Sequence, residues 1–448
     1  MSRWRRRAGV AAAAAGLAGV MSVSTAILAQ PDVDPAGAAA GTAAAVDLGV
    51  GGDPGAGISA LQARLTRLPE DWNAWGMLGS AYVAQAQQSA DASYYARAEE
   101  AFSRSLAVRA EDNVTAVAGQ GVLAASRHDF VAALELGQEA LRLNPWSPVA
   151  HGVTVDALIE LGRYDDAATQ LQQMVDLRPD VASFTRVSYH RELSGDVDGA
   201  REALVQAGRF AFAPADSAFV EQYLGQLAFN EGDLAHARAH YEEGLRHTPG
   251  APRLLAGRAA VQAAEGDVDA ALEDYREATT RLPEPGYLIA YAELLEAHGR
   301  ADEADEQYAV LDAVAQVMRD AGANPDLELA LYYADHARPE AALELAEREW
   351  GVRRSVHTED AYAWALHVNG RDEEALVHAE AAQHTGFRNA SFAYHRGMIQ
   401  KSLGLQDDAR ASLAEALEIN PGFSPLHAPR AAAALDELGG PDELDTAG

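Results

Sequence analysis

Between Val220 and Pro249, apolar residues recur at helical spacing in two separate runs. Leu224, Gly225, Leu227 and Ala228 share one face of the first run. Gly232 stops that helix, because glycine enters the left-handed cap conformation at no steric cost. Asp233 is suited to cap the helix that follows, whose apolar stripe is Leu234, Ala237, Tyr241 and Leu245. Pro249 stands where that helix can no longer continue. The pattern predicts a helical hairpin with one apolar side, which it cannot bury alone.

The chain repeats the unit. GRYDDA at 162, GDVDGA at 195, GDLAHA at 232, GDVDAA at 266, GRADEA at 299, GRDEEA at 370 and GLQDDA at 404 are one phrase, with weaker copies HDFVAA at 128 and ARPEAA at 337. From Ala98 to Ala409 the closing alanines are spaced 35, 34, 33, 37, 34, 33, 38, 33 and 34 residues apart. Pro145 to Pro179 and Pro249 to Pro283 are each 34. A helical period of 34 is the mark of a tetratricopeptide (TPR) array. Together with Trp75, Leu78, Gly79 and Tyr82 in the first unit, and Gly225 and Gly397 later, it makes the chain resemble the TPR family over about ten repeats, residues 58–438. The pattern is interrupted by about seven extra residues near Gln85–Ser93. Longer or off-phase turns are expected around Phe210–Asp216, Val314–Pro325 and Trp350–His357.

The resemblance implies an all-α, right-handed superhelical solenoid of helix-turn-helix repeats. Repeats are expected over 70–421, a half-repeat cap over 58–69 (Ile58 to Leu68, ending at Pro69), and a cap helix within 422–438. It also implies that the first helix of each hairpin faces a concave wall that binds a peptide or protein. In the middle repeats that wall gathers Arg186, Tyr189, Gln222, Gln226 and Asn230, with Phe229 beside them. Near the C-terminus it gathers Asp360, Trp364, His367, Tyr394, Met398 and Lys401. Aromatic residues interleaved with polar ones suit a contact patch, although Trp364 and Tyr394 fit an interhelical core equally well. The lysine-and-asparagine clamp of chaperone-tail-binding relatives is not evident, since Lys401 is the single lysine.

Outside the array, Arg3, Arg5, Arg6 and Arg7 precede an uncharged stretch from Ala8 to Ala29. Residues 1–29 read as an export signal, with an uncleaved membrane anchor as the alternative. Residues 30–57, rich in Gly, Ala and Pro, read as a flexible linker, and 439–448 as a frayed tail. The expected setting is therefore extracytoplasmic, secreted or tethered to the envelope. The heavy preference for arginine over lysine suggests GC-rich coding and a bacterial source.

Charge and composition narrow the function. A formal net charge of −32 argues against a nucleic-acid partner and against adhesion to anionic lipid. With no cysteine there is no disulfide, thiol nucleophile or zinc-thiolate site. No catalytic motif is found, neither GxSxG, HExxH nor a Walker loop, so neither catalysis nor a cofactor is expected. His236 and His240 lie four apart on one helix face with His247 beyond, a spacing able to hold a metal. His357, His367 and His395 are expected near the inner face. The leading expectation is a non-enzymatic protein-binding scaffold. The alternative is a metal- or small-ligand-binding accessory protein that uses these histidines.

Overall fold

In the computed structural model residues 54–439 are described. The expected signal or anchor, nearly all of the linker and nearly all of the tail lie outside them. Among the described residues there are 22 helices and no strand, an all-α repeat solenoid, and no helix is long and apolar enough to cross a membrane.

α1 (Pro54–Arg67) precedes ten hairpins. They pair α2 (Trp72–Ser89) with α3 (Tyr94–Val108), α4 (Val114–Ser126) with α5 (Phe130–Leu143), and α6 (Pro148–Glu160) with α7 (Tyr164–Leu177). Next come α8 (Val181–Leu193) with α9 (Val197–Gly208), α10 (Pro214–Asn230) with α11 (Leu234–His247), and α12 (Pro252–Ala264) with α13 (Val268–Arg281). The last four pair α14 (Pro285–Ala297) with α15 (Ala301–Asp320), α16 (Asp326–Asp335) with α17 (Pro339–Val352), α18 (Val356–Val368) with α19 (Asp372–Ala381), and α20 (Ala390–Ser402) with α21 (Gln406–Ile419). α22 (His427–Glu437) closes the array. Helix α1 starts inside the stretch read as linker. The surplus residues at 85–89 and 314–320 lengthen α2 and α15 rather than forming long turns.

The recurring phrase explains each hairpin locally. Gly162, Gly195, Gly232, Gly266, Gly299, Gly370 and Gly404 all have φ between 72° and 84°, and His128 and Ala337 fill the same left-handed position in the two weaker copies. Where Asp follows, as at Asp196, Asp233 and Asp267, its side chain accepts the backbone N–H three residues on and starts the second helix. Where Arg follows, that cap is missing. Arg163, Arg300 and Arg371 instead pair with Asp166, Glu303 and Glu374 at 2.6 Å. The closing alanines are buried at the helix crossing, from Ala98 through Ala237 to Ala409, where a small side chain lets helices approach. Tyr241 shows how close that approach is. A Cβ added to Gly225 would lie 2.8 Å from its ring, and one added to Gly257 would lie 2.3 Å from it.

The solenoid also coils onto itself. Ala90, in the turn of the first hairpin, packs in one apolar cluster with Leu282 and Tyr287, beside the α13–α14 linker. In the second hairpin His128 Nδ1 donates to the Asn324 carbonyl at 2.7 Å, and the Asn324 N–H donates to the Arg127 carbonyl at 3.1 Å. The turn of the third meets the α17–α18 linker: Arg353 Nη1 donates to Glu160 at 2.8 Å and the Val356 N–H to Tyr164 Oη at 2.9 Å. Gly195 of the fourth lies against the Gly386 carbonyl. In the fifth the Phe229 carbonyl accepts from Asn420 Nδ2 at 2.7 Å. Moving along one hairpin moves the contact along one linker, so the coil returns on itself after five to six hairpins. The turns of later hairpins are free of this seam: a Cβ on Gly266, Gly299, Gly370 or Gly404 would meet nothing within 4 Å.

Candidate functional site

Coiling turns the expected concave trough into a cavity of about 570 Å³. One wall comes from the first helices of hairpins four to seven. α8 supplies Tyr189 and Glu192, and α10 supplies Gln222, Tyr223, Gln226, Phe229 and Asn230. α12 supplies Arg253 and Ala260, and α14 supplies Tyr287 and Glu293. The opposite wall is the far end of the chain: His357, Phe387, Asn389, the segment Pro421–Pro425, and Ala428 and Pro429 of α22. Exposed His298, Pro421 and Pro429 carry the lining out to solvent.

A polar relay crosses the floor. Gln226 Nε2 donates to Asn230 Oδ1 at 2.8 Å, and Asn230 Nδ2 donates to Glu192 Oε1 at 2.7 Å. Glu192 is 5% exposed and its other oxygen, Oε2, has no hydrogen-bond partner. Burial, with Glu231 nearby, pushes this carboxyl up to about 7 against the opposing bond from Asn230. Half-buried Glu293 is raised to about 8 by burial and by Asp335 and Glu296. Arg253 is held by the fully buried Glu284 at 3.3 Å. Glu284 is itself raised to about 8 by burial despite that partner. His357 lies 3.4 Å from Tyr189 Oη; burial and Arg353 lower it to about 4, which leaves the imidazole neutral. The wall thus combines ring faces, amides and carboxylates.

The residues read from the sequence separate into distinct places. Tyr189, Gln222, Gln226, Phe229 and Asn230 line the cavity. Arg186 does not. It is 0% exposed and grips Asp156 with Nε–Oδ1 and Nη2–Oδ2 distances of 2.8 Å, bolting α8 to α6; its guanidinium is consumed by that pairing and cannot meet a partner. Trp364 and Tyr394 are also corrected, from contact surface to interior. Trp364 stacks on His395 at 4.3 Å and donates Nε1–H to Asp335 at 2.9 Å, and Tyr394 stacks on His427 at 4.8 Å. Asp360 is buried with them and accepts from His395 Nδ1 at 3.0 Å, while half-buried Met398 packs against the same cluster. His367 is half-buried, 2.5 Å from Asp372, and Lys401 reaches Glu437 at 2.5 Å. Trp364, Tyr394 and Asp360 therefore belong to a core, His367 and Lys401 lie at its edge, and none of them lines the cavity.

His236 turns to its own capping residue Asp233 and His240 to Glu221, each at 2.7 Å. Among the described residues no group of three or more His, Asp or Glu is arranged to hold a metal.

Glu192, Arg253, Tyr287, Glu293 and, apart from His357, the far wall are additions to the sequence reading. Glu293 was within reach of it. Tyr189, Gln226, Ala260 and Glu293 each stand eleven residues before a closing alanine, so one repeat position forms one column of the wall. The far wall has no such signal, because it is brought there by coiling.

Residues 124–186 and 390–423 match tetratricopeptide-repeat families. No curated protein matches the chain. Solved structures with a similar course include the APC/C hetero-tetramer Cut9–Hcn1, at 15% identity over 86% of this chain and 83% of that one, with a TM-score of 0.42. The type IV pilus biogenesis factor PilW aligns at 17% identity over 45% and 92%, with a TM-score of 0.38. A tetratricopeptide repeat protein of Parabacteroides merdae aligns at 18% over 58% and 98%, with a TM-score of 0.34. At that distance they bear on neither partner nor activity.

Proposed function

Because the chain is a tetratricopeptide-repeat protein, we propose that it is a non-catalytic scaffold that holds a protein partner by an extended segment seated in the coiled cavity. The observation that carries this reading is the cavity itself. It is lined by the first-helix column that such arrays turn inward, and it joins apolar rings to amides able to pair with a peptide backbone. An extracytoplasmic setting belongs to the same proposal and rests on Arg3–Arg7 and the uncharged stretch to Ala29.

The test fills the cavity. Ala260→Trp places an indole into the lining while leaving the crossing alanines alone. Tagged wild-type and Ala260→Trp chains are cross-linked in the cell-envelope fraction, captured, and compared by mass spectrometry and circular dichroism. A partner cross-linked to cavity residues and lost from an equally helical variant supports the reading. A partner retained by the variant moves binding to another face.

A further inference from the structure

We propose that this cavity selects a cationic group, an alkylammonium or guanidinium, and that Glu192 and Glu293 are its counter-charges. The inference rests on the cavity being the binding place and adds what its occupant must carry.

The argument begins with an unsatisfied atom. Glu192 is almost wholly enclosed, and its Oε2 has no hydrogen-bond partner while its Oε1 is fixed by Asn230. A buried carboxylate oxygen left without a donor is costly, and a charged donor recovers the most. Glu293 stands on the same lining, on α14, three hairpins further along the array, with no side-chain hydrogen bond of its own.

The cations already nearby do not cancel these charges. Arg253 is held by Glu284, His357 is neutral, and Arg430 of α22 offsets only part of the charge on Glu293. An anion would meet two carboxylates. A neutral apolar group would leave Oε2 unpaired. A cation satisfies the carboxylates and also finds the ring faces of Phe229 and Tyr287, which attract positive charge. Burial keeps the Glu192 carboxyl partly protonated near pH 7, and a bound cation takes the place of that proton. The net charge of −32 favours the approach of a cation as well.

The cation could be a free amine or a basic side chain of a bound peptide, and two arms separate these sources. In the first, agmatine and cadaverine are titrated calorimetrically into the full chain, beside valerate and 1-pentanol. Both cations should bind while the anion and the alcohol do not. Glu192→Gln, which keeps the shape and the bond from Asn230, should weaken cation binding roughly ten-fold or more with the fold intact. Equal binding of alcohol and cation, or a Glu192→Gln variant that binds cations like wild type, overturns the inference. In the second arm the chain is laid on an array of decapeptides. Lysine- or arginine-bearing spots that agmatine competes away assign the cation to a peptide side chain. Peptide binding without basic preference keeps the peptide reading and refutes this one. A blank array with agmatine bound keeps the cation site and refutes the peptide reading, and no binding in either arm refutes both.

Discussion

Glycine-to-alanine exchange at two matched turns weighs the seam between successive coils. Gly162 and Gly370 have φ of 74° and 73°, so both exchanges place alanine in the left-handed region at a cost of roughly 1–2 kcal/mol. Only their surroundings differ. A Cβ at Gly370 meets nothing within 4 Å, whereas at Gly162 it would lie 2.3 Å from the Arg354 carbonyl oxygen. Carbon and carbonyl oxygen stay about 3.3 Å apart even in close contacts, so the α17–α18 linker must retreat by about 1 Å. That movement strains the bonds from Val356 N–H to Tyr164 and from Arg353 to Glu160. Overpacking of this kind costs ~1–3 kcal/mol, which brings Gly162→Ala to roughly 2–5 kcal/mol in all. The assay is native-state hydrogen exchange read by mass spectrometry over residues 353–358, with urea unfolding alongside, since stacked repeats can open in units. Gly162→Ala should speed exchange in that segment by ~5- to 150-fold, and Gly370→Ala should leave it unchanged. Equal losses of stability in the two variants, with exchange at 353–358 unmoved, would refute the coiled arrangement and with it the cavity.

Three further outcomes follow from the packing. Ala237→Leu forces a larger side chain into a fully buried helix crossing and should lower stability by ~1–3 kcal/mol in urea unfolding; an unmoved midpoint would take Ala237 out of the crossing. Arg186→Ala strands the buried Asp156 carboxylate and should cost roughly 3–5 kcal/mol, whereas Lys401→Ala, which breaks a surface pair, should cost at most ~1 kcal/mol; comparable losses would contradict the burial assigned to Arg186. Glu160 and Glu328 are raised to about 7 and about 8, chiefly by burial. The folded state therefore holds their protons more tightly, and the stability this contributes is full below their usual value near 4.5 and lost as pH rises through 7 to 8. His128 and His357, lowered to about 4 chiefly by burial, act in the opposite sense below pH 6.5. Urea midpoints should accordingly fall between pH 6.5 and 9, with a shallower slope in Glu160→Gln and Glu328→Gln; a flat wild-type profile would contradict the burial of these carboxyls.

The repeat was legible because its causes are local. A left-handed turn glycine, a capping aspartate and a small residue at the crossing each act within one hairpin, and the 34-residue clock exposes them together. Even the weak copies HDFVAA and ARPEAA proved to be true turns, with His128 and Ala337 adopting the glycine conformation. The inward column of Tyr189, Gln226, Ala260 and Glu293 is equally a matter of position within the repeat.

Coiling decides the rest, and it depends on small rotations between hairpins that accumulate over five or six of them. Asn420 gives no sign in the sequence that it will reach Phe229, 191 positions away, nor does Arg353 that it will enter between Glu160 and Glu349. Trp364 and Tyr394 share the pattern of the cavity wall but are covered by Asp335, His395 and His427. A residue's place within its hairpin follows from helical periodicity, so the chain's own order determines which side chains point inward. Whether that inner surface stays open, becomes core or closes into a cavity is set by which distant hairpin comes to lie against it, and only the tertiary structure determines that.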